Sequence, residues 1–197
     1  MYGKVTRIIS RMSGRSFVGP TLARDEEWIA LNVTYTRDAF QAASKIREWR
    51  PILRPLAKYF IPEIARIWEN HAKATKILEP ILKEKAISEK QEYYEKPIDA
   101  LQWFREALAG GKKDDFRFTT ILTLALGAAS IHTTSQMVTN IIFDLAARPE
   151  YIQILREELT GTLNASDGKW CQELLNKLQK MDSFMKESQR FTAVVSK

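Results

Sequence analysis

The sequence predicts an all-α fold of about seven to nine helices, and three observations carry that expectation. Apolar residues recur at three- and four-residue spacing through most of the chain, and no segment alternates as a half-buried strand would. Prolines and glycines gather at a few points that separate the periodic runs. A stretch of 26 residues, 118–143, carries no formal charge when His132 is counted as neutral.

The elements follow in order. Residues 1–16 place Val5, Ile8, Ile9 and Met12 at helical spacing, and Gly14, Gly19 and Pro20 mark the break. Asp25, Glu26 and Glu27 suit the first turn of a second helix, which runs from Trp28 through Leu31, Tyr35 and Phe40 to Ile46. Pro51, Pro55 and Pro62 cut the next stretch into short pieces, because proline lacks a backbone donor and clashes with the preceding turn. Residues 64–86 form a long amphipathic helix with a kink at Pro80, and residues 87–97 are charged and exposed. A short helix over 98–108 ends at Gly110-Gly111, followed by a polar loop over 112–115. The central helix covers about residues 116–147. Pro149 starts the next helix and Gly161 ends it. Residues 164–168 form a loop, 169–179 a further helix, and a last helix begins near Met181.

Composition narrows the function classes. A chain of 197 residues that is 45% hydrophobic and 27% charged suits one globular domain over 1–197. The single cysteine, Cys171, excludes an internal disulfide and any Cys-x-x-Cys site. Met1 is not followed by a basic region leading into an apolar run, so no signal peptide or anchor is expected, and the glycosylation-like triplets at Asn32 and Asn164 are accidental. Residues 45–113 carry 15 Lys/Arg against 10 Asp/Glu, close to the whole excess behind the net charge of +6. Arg47, Arg50, Arg54 and Lys58 are interleaved there with Trp49 and Tyr59, which suits an ordinary solvated face or a peripheral membrane contact. With acids alternating and no recognisable module, no nucleic-acid partner is expected.

The uncharged run is too polar for a membrane span, with eleven residues between Thr119 and Asn140 bearing hydroxyl, amide or imidazole groups. It reads as a helix through a larger fold. Gly127, Ala128, Ala129 and Ser130 at its middle leave room for a partner backbone or a flat ligand. The alternative is tight helix packing, with hydroxyls bonded one turn back.

Candidate chemistry is sparse. His71 and His132 lack cysteine support, so no protein-built metal site is expected. Asp114-Asp115 suits a cap on the helix starting at Phe116 better than a carboxylate cluster. No phosphate loop, G-x-S-x-G elbow or H-E-x-x-H occurs. What remains is His132-Thr133-Thr134, hydroxyls beside an imidazole suited to relaying protons, and Glu187 with Arg190, three apart on one helix face.

In order, these elements resemble the cytochrome P450 superfamily, and within it the fungal monooxygenases of secondary metabolism. Ala129-Ser130-Ile131-His132-Thr133-Thr134-Ser135 is similar to the oxygen-side motif Ala/Gly-Gly-x-Asp/Glu-Thr-Thr/Ser, with His132 at the acidic position and Ser130 for the usual glycine. Ala146-Ala147-Arg148-Pro149-Glu150 with Leu155-Arg156-Glu157-Glu158-Leu159 resembles the run of the following helix. Lys180-Met181-Asp182-Ser183-Phe184-Met185-Lys186-Glu187-Ser188-Gln189-Arg190-Phe191 resembles the Glu-x-x-Arg helix. Arg11-Met12-Ser13-Gly14-Arg15-Ser16-Phe17-Val18-Gly19-Pro20, with Glu27-Trp28, and the Pro62-Glu63 pair also match the fungal pattern.

The resemblance implies a partial cytochrome P450 fold and a heme-dependent monooxygenase. It further implies heme b as cofactor, an NADPH–cytochrome P450 reductase as partner, an apolar small-molecule substrate, and the endoplasmic reticulum membrane for intact members. Thr133 would donate a hydrogen bond on the oxygen side and help deliver protons, and His132 would relay protons or shape the groove. Ala128, Ala129 and Ser130 would line the cofactor side, and Glu187 and Arg190 would be structural. The cysteine loop that supplies the family's thiolate, the N-terminal anchor and the third partner of the Glu-x-x-Arg pair have no counterpart here, and Cys171 lies before the Glu-x-x-Arg helix. The chain is therefore expected to be an inactive fragment, cytoplasmic or peripheral. A non-enzymatic helical interaction module is the alternative.

Overall fold

The computed structural model describes residues 1–91, 93–108 and 114–192, and among them there are helices, turns and irregular connections but no strand. In chain order the elements are α1 (Tyr2–Val18), the 3-10 turn η1 (Leu22–Arg24), α2 (Glu26–Glu48), η2 (Pro51–Leu56), α3 (Ala57–Phe60), α4 (Pro62–Ser88), α5 (Ala100–Ala107), α6 (Phe116–Ala147), α7 (Glu150–Asn164), α8 (Gln172–Lys177) and α9 (Gln179–Phe191). The all-α expectation holds, and the central helix has the predicted bounds. The predicted Gly110-Gly111 stop and the first half of the 112–115 loop lie outside the described residues. The chain divides into two compact units, one of residues 6–132 and one of residues 1–5 with 133–197.

In the larger unit α2 and α4 pack antiparallel. Asp25 caps α2, its carboxylate accepting from the Trp28 amide at 2.8 Å. Pro62 occupies the first turn of α4, where its missing N–H costs nothing, and the helix assignment continues through Pro80 to Ser88. The core joins Trp28 and Leu31 of α2 to Ala74, Leu78 and Leu82 of α4, Leu101 of α5 and Leu124 of α6. One end of the α2–α4 pair is fastened by charge. Lys45 donates to Glu63 at 2.9 Å, and Arg66 donates to both Glu63 and the fully buried Asp38. Asp99 caps α5 and also accepts from Lys85 at 2.8 Å.

Three details of this unit bear on the sequence reading. On α1, Ile9 is buried but Ile8 and Met12 lie in solvent, and the polar Thr6 and Ser10 are buried beside Ile9. Residues 87–97 are not uniformly exposed, because Glu89 turns inward to accept from the buried Arg105 at 3.1 and 3.2 Å. Asn32 is buried, with its amide bonded to the Trp28 carbonyl, so its triplet offers no accessible acceptor.

In the smaller unit the predicted stop at Gly161 does not occur. The Gly161 face is open and the helix runs to Asn164; the reversal is made by Gly168, with φ +71°, whose N–H returns to the Leu163 carbonyl. The helix expected over 169–179 shrinks to α8. Lys169 and Trp170 are exposed ahead of it, and the chain breaks at Leu178, which leaves helical geometry to start α9 two residues before Met181.

Candidate functional site

On α6 the sequence sorts its residues by face. Thr119, Thr120, Thr123, Leu124, Gly127 and Ile131 are buried, whereas Ile121, Ala125 and Ala129, each four apart, form an open stripe. Two of the three threonine hydroxyls on the packed side behave as the packing alternative expects, whereas the buried Thr119 Oγ1 has no hydrogen-bond partner among the described residues. Thr120 donates to the Phe116 carbonyl at 2.7 Å and Thr123 to the Thr119 carbonyl at 2.8 Å.

The small residues divide between two tasks. A Cβ on Gly127 would stand 2.6 Å from Asn32 Oδ1, so this glycine exists for the close approach of α2. Ala125 and Ala129, with the half-buried Ala128, leave the other side of the same turn low and apolar. A planar apolar group can lie against that stripe, which has no side chain longer than a methyl at those three positions.

Two polar side chains hold the turn. Ser130 Oγ lies 3.0 Å from Ser13 Oγ of α1. His132 Nε2 lies 3.5 Å from the Val33 carbonyl of α2. The imidazole thus reaches towards α2. The residues expected to line the cofactor side therefore split, with Ala128 and Ala129 on the open stripe and Ser130 tied to α1. Thr133 follows on the same helix, half-buried, at the first position of the smaller unit.

In the smaller unit Glu187 and Arg190 form the expected pair, with two bonds of 2.9 and 2.6 Å. Both are exposed, and the guanidinium beside Glu187 holds its carboxyl below the usual carboxylate range. Cys171 is exposed at the N-cap of α8. A groove of about 570 Å³ between α7 and α9 is lined by Tyr151, Ile154, Leu155, Phe184 and Phe191, with Arg148 and Lys180 among its walls. The sequence reading did not anticipate it, because its apolar residues come from two helices whose pairing no spacing reveals. No group of three potential metal ligands occurs among the described residues.

The cytochrome P450 family profile matches residues 30–197. The chain is 36% identical to cytochrome P450 monooxygenase BOA4 of Botryotinia fuckeliana over 96% of its own length and 38% of that protein. It is 37% identical to cytochrome P450 monooxygenase ascG of Acremonium egyptiacum over 100% of its length and 40% of that protein. It is 36% identical to the ent-kaurene oxidase of Gibberella intermedia over 96% of its length and 34% of that protein. The chain thus spans well under half the length of these relatives.

Proposed function

The chain belongs to the cytochrome P450 family, and from that premise we propose that it is the central stretch of a heme-dependent monooxygenase acting on an apolar small molecule. The observation that carries the reading is the open stripe of Ala125 and Ala129 on α6. Heme, when bound, supplies the oxygen activation. Ala125, Ala128 and Ala129 would face one side of that flat group with nothing longer than a methyl at those positions. Thr133, further along the same helix, is the proposed proton-delivering residue. His132 and Ser130 keep the turn fixed, by their bonds to the Val33 carbonyl and to Ser13, so that the open stripe does not rotate. Glu187 and Arg190 act as a structural pair. Among the relatives, one is an ent-kaurene oxidase, which agrees with an apolar substrate. An NADPH–cytochrome P450 reductase is the proposed electron donor for the whole protein.

The only cysteine, Cys171, is exposed on the loop before α8, and we assign it no role as iron ligand. Residues 1–197 by themselves should then be inactive. The test adds hemin to the purified chain, reduces it and exposes it to carbon monoxide. An imidazole-type or loosely bound spectrum, unchanged in Cys171→Ala, supports the reading. A thiolate-type Soret band with reductase-dependent oxidation of substrate contradicts it.

A specific surface favours a membrane location for the whole protein, the endoplasmic reticulum being the family's usual one. Among the described residues no helix is long and apolar enough to cross a bilayer. Yet Ile52, Tyr59 and Phe60 are 85%, 73% and 69% exposed, and Leu53 and Leu56 accompany them. Arg47, Arg50, Arg54 and Lys58 are exposed around them, with Lys58 5.0 Å from the Tyr59 ring centroid. Apolar side chains ringed by cations suit a shallow contact with anionic lipid.

A further inference from the structure

Helix α9, which carries Glu187 and Arg190, has no cap of its own. Leu178 stands at its N-cap position and contributes no side-chain acceptor. A helix start of this kind leaves its first amides without partners, and a local Ser, Asp or Asn would accept from the second or third residue. Those two amides are satisfied from elsewhere. Lys180 N–H donates to Glu158 Oε1 at 2.7 Å and Met181 N–H to Glu158 Oε2 at 2.9 Å. Glu158 lies on α7, 22 residues earlier, and brings a negative charge to the positive end of the α9 dipole.

The other end of α9 is held by a different helix. Ser188, 4% exposed, donates to Asp144 Oδ2 of α6 at 2.5 Å, and Asp144 is itself paired with Arg148 at 3.5 Å. Between the two attachments Phe184 stacks on Tyr151 of α7 at 5.5 Å. A one-residue slip of α9 would turn the helix by about 100° and move it about 1.5 Å, breaking both attachments.

We propose that Glu158 is the N-terminal cap of α9, supplied by the neighbouring helix α7, and that with Asp144 it is a positioning residue for the Glu187–Arg190 pair. The cap stands on geometry alone; only the importance of the pair rests on the monooxygenase reading.

The experiment uses the whole 197-residue chain, labelled for NMR, and needs no heme, so its failure is separate from failure of the hemin test. Amide exchange is measured at Lys180 and Met181, and the Arg190 Nε–H resonance is followed. Glu158→Ala should speed exchange at those two amides by about tenfold and shift the Arg190 signal. Glu158→Gln, which keeps volume and one acceptor oxygen, should give an intermediate effect even if the alanine variant folds poorly. The exposed neighbour substitution Glu157→Gln should leave both signals as in the wild type. Exchange at Lys180 and Met181 that is unchanged in Glu158→Ala overturns the proposal. So does a rise spread evenly over α7 and α9, which is loss of packing rather than of a cap.

Discussion

Gly127 of α6 and Asn32 of α2 approach so closely that a single methyl on the glycine would collide with the Asn32 carboxamide oxygen, 2.6 Å away. Asn32 cannot simply swing aside, because it is buried and its amide is bonded to the Trp28 carbonyl. In an exposed helix interior, Gly→Ala would stabilise by about 1 kcal/mol. Here the collision reverses the sign, and Gly127→Ala should destabilise the chain by about 1–3 kcal/mol in urea unfolding.

The hydroxyl pair Ser13–Ser130 makes a second, smaller claim. The two hydroxyls bond each other in a half-buried site, so Ser13→Ala and Ser130→Ala should each cost about 1 kcal/mol. The double variant should cost less than the sum of the two, by about 0.5 kcal/mol or more, in a double-mutant cycle. Additive losses would show that the two hydroxyls do not act on each other.

Helical spacing was enough for the all-α class and the Glu187–Arg190 pair, and the uncharged run between Asp115 and Asp144 for the bounds of α6, because each depends on residues near one another in the chain. The divided duty of Gly127 and Ala129 was not legible, since both are small residues in one stripe and only the position of α2 separates them. Nor was the direction of His132, whose partner is a carbonyl 99 residues away. The ends of α7 and α8 were misread for a related reason. Gly161 offered a stop, but the turn was made by Gly168, and Leu178 broke the chain where the Glu158 cap receives α9.

Glu63 gives a pH dependence with a defined sign. The Lys45 ammonium, then its own backbone amide and the Arg66 guanidinium, lower its pKa from 4.5 to about 2. A carboxyl with a depressed folded-state pKa contributes stability above its unfolded pKa, and that contribution is lost as pH falls through the folded value. The stability difference between wild type and Glu63→Gln should therefore be largest above about pH 5 and shrink as pH is lowered towards 2. A difference that stays constant across that window would mean the ion pairs with Lys45 and Arg66 contribute nothing net.

The cationic apolar surface at η2 and α3 predicts a lipid preference. The chain should sediment with vesicles containing phosphatidylserine and far less with phosphatidylcholine alone, and the binding should weaken with salt. Replacing Arg50, Arg54 and Lys58 by Glu should abolish the preference, and Tyr59→Ser with Phe60→Ser should lower binding to both vesicle types. Equal binding to both by the unaltered chain would contradict the charge argument.

The most direct test of the account concerns the open stripe on α6. Ala129 is exposed, so Ala129→Trp should fold like the wild type, with unchanged helical circular dichroism and unfolding midpoint. Its indole would cover the low apolar surface on which a flat cofactor is proposed to lie. Hemin titration of the two purified chains, followed by absorbance, should show binding to the wild type that is at least about tenfold weaker in Ala129→Trp, a loss of about 1.4 kcal/mol. Equal hemin affinity in the two chains would contradict the assignment of this stripe as a wall of the heme site.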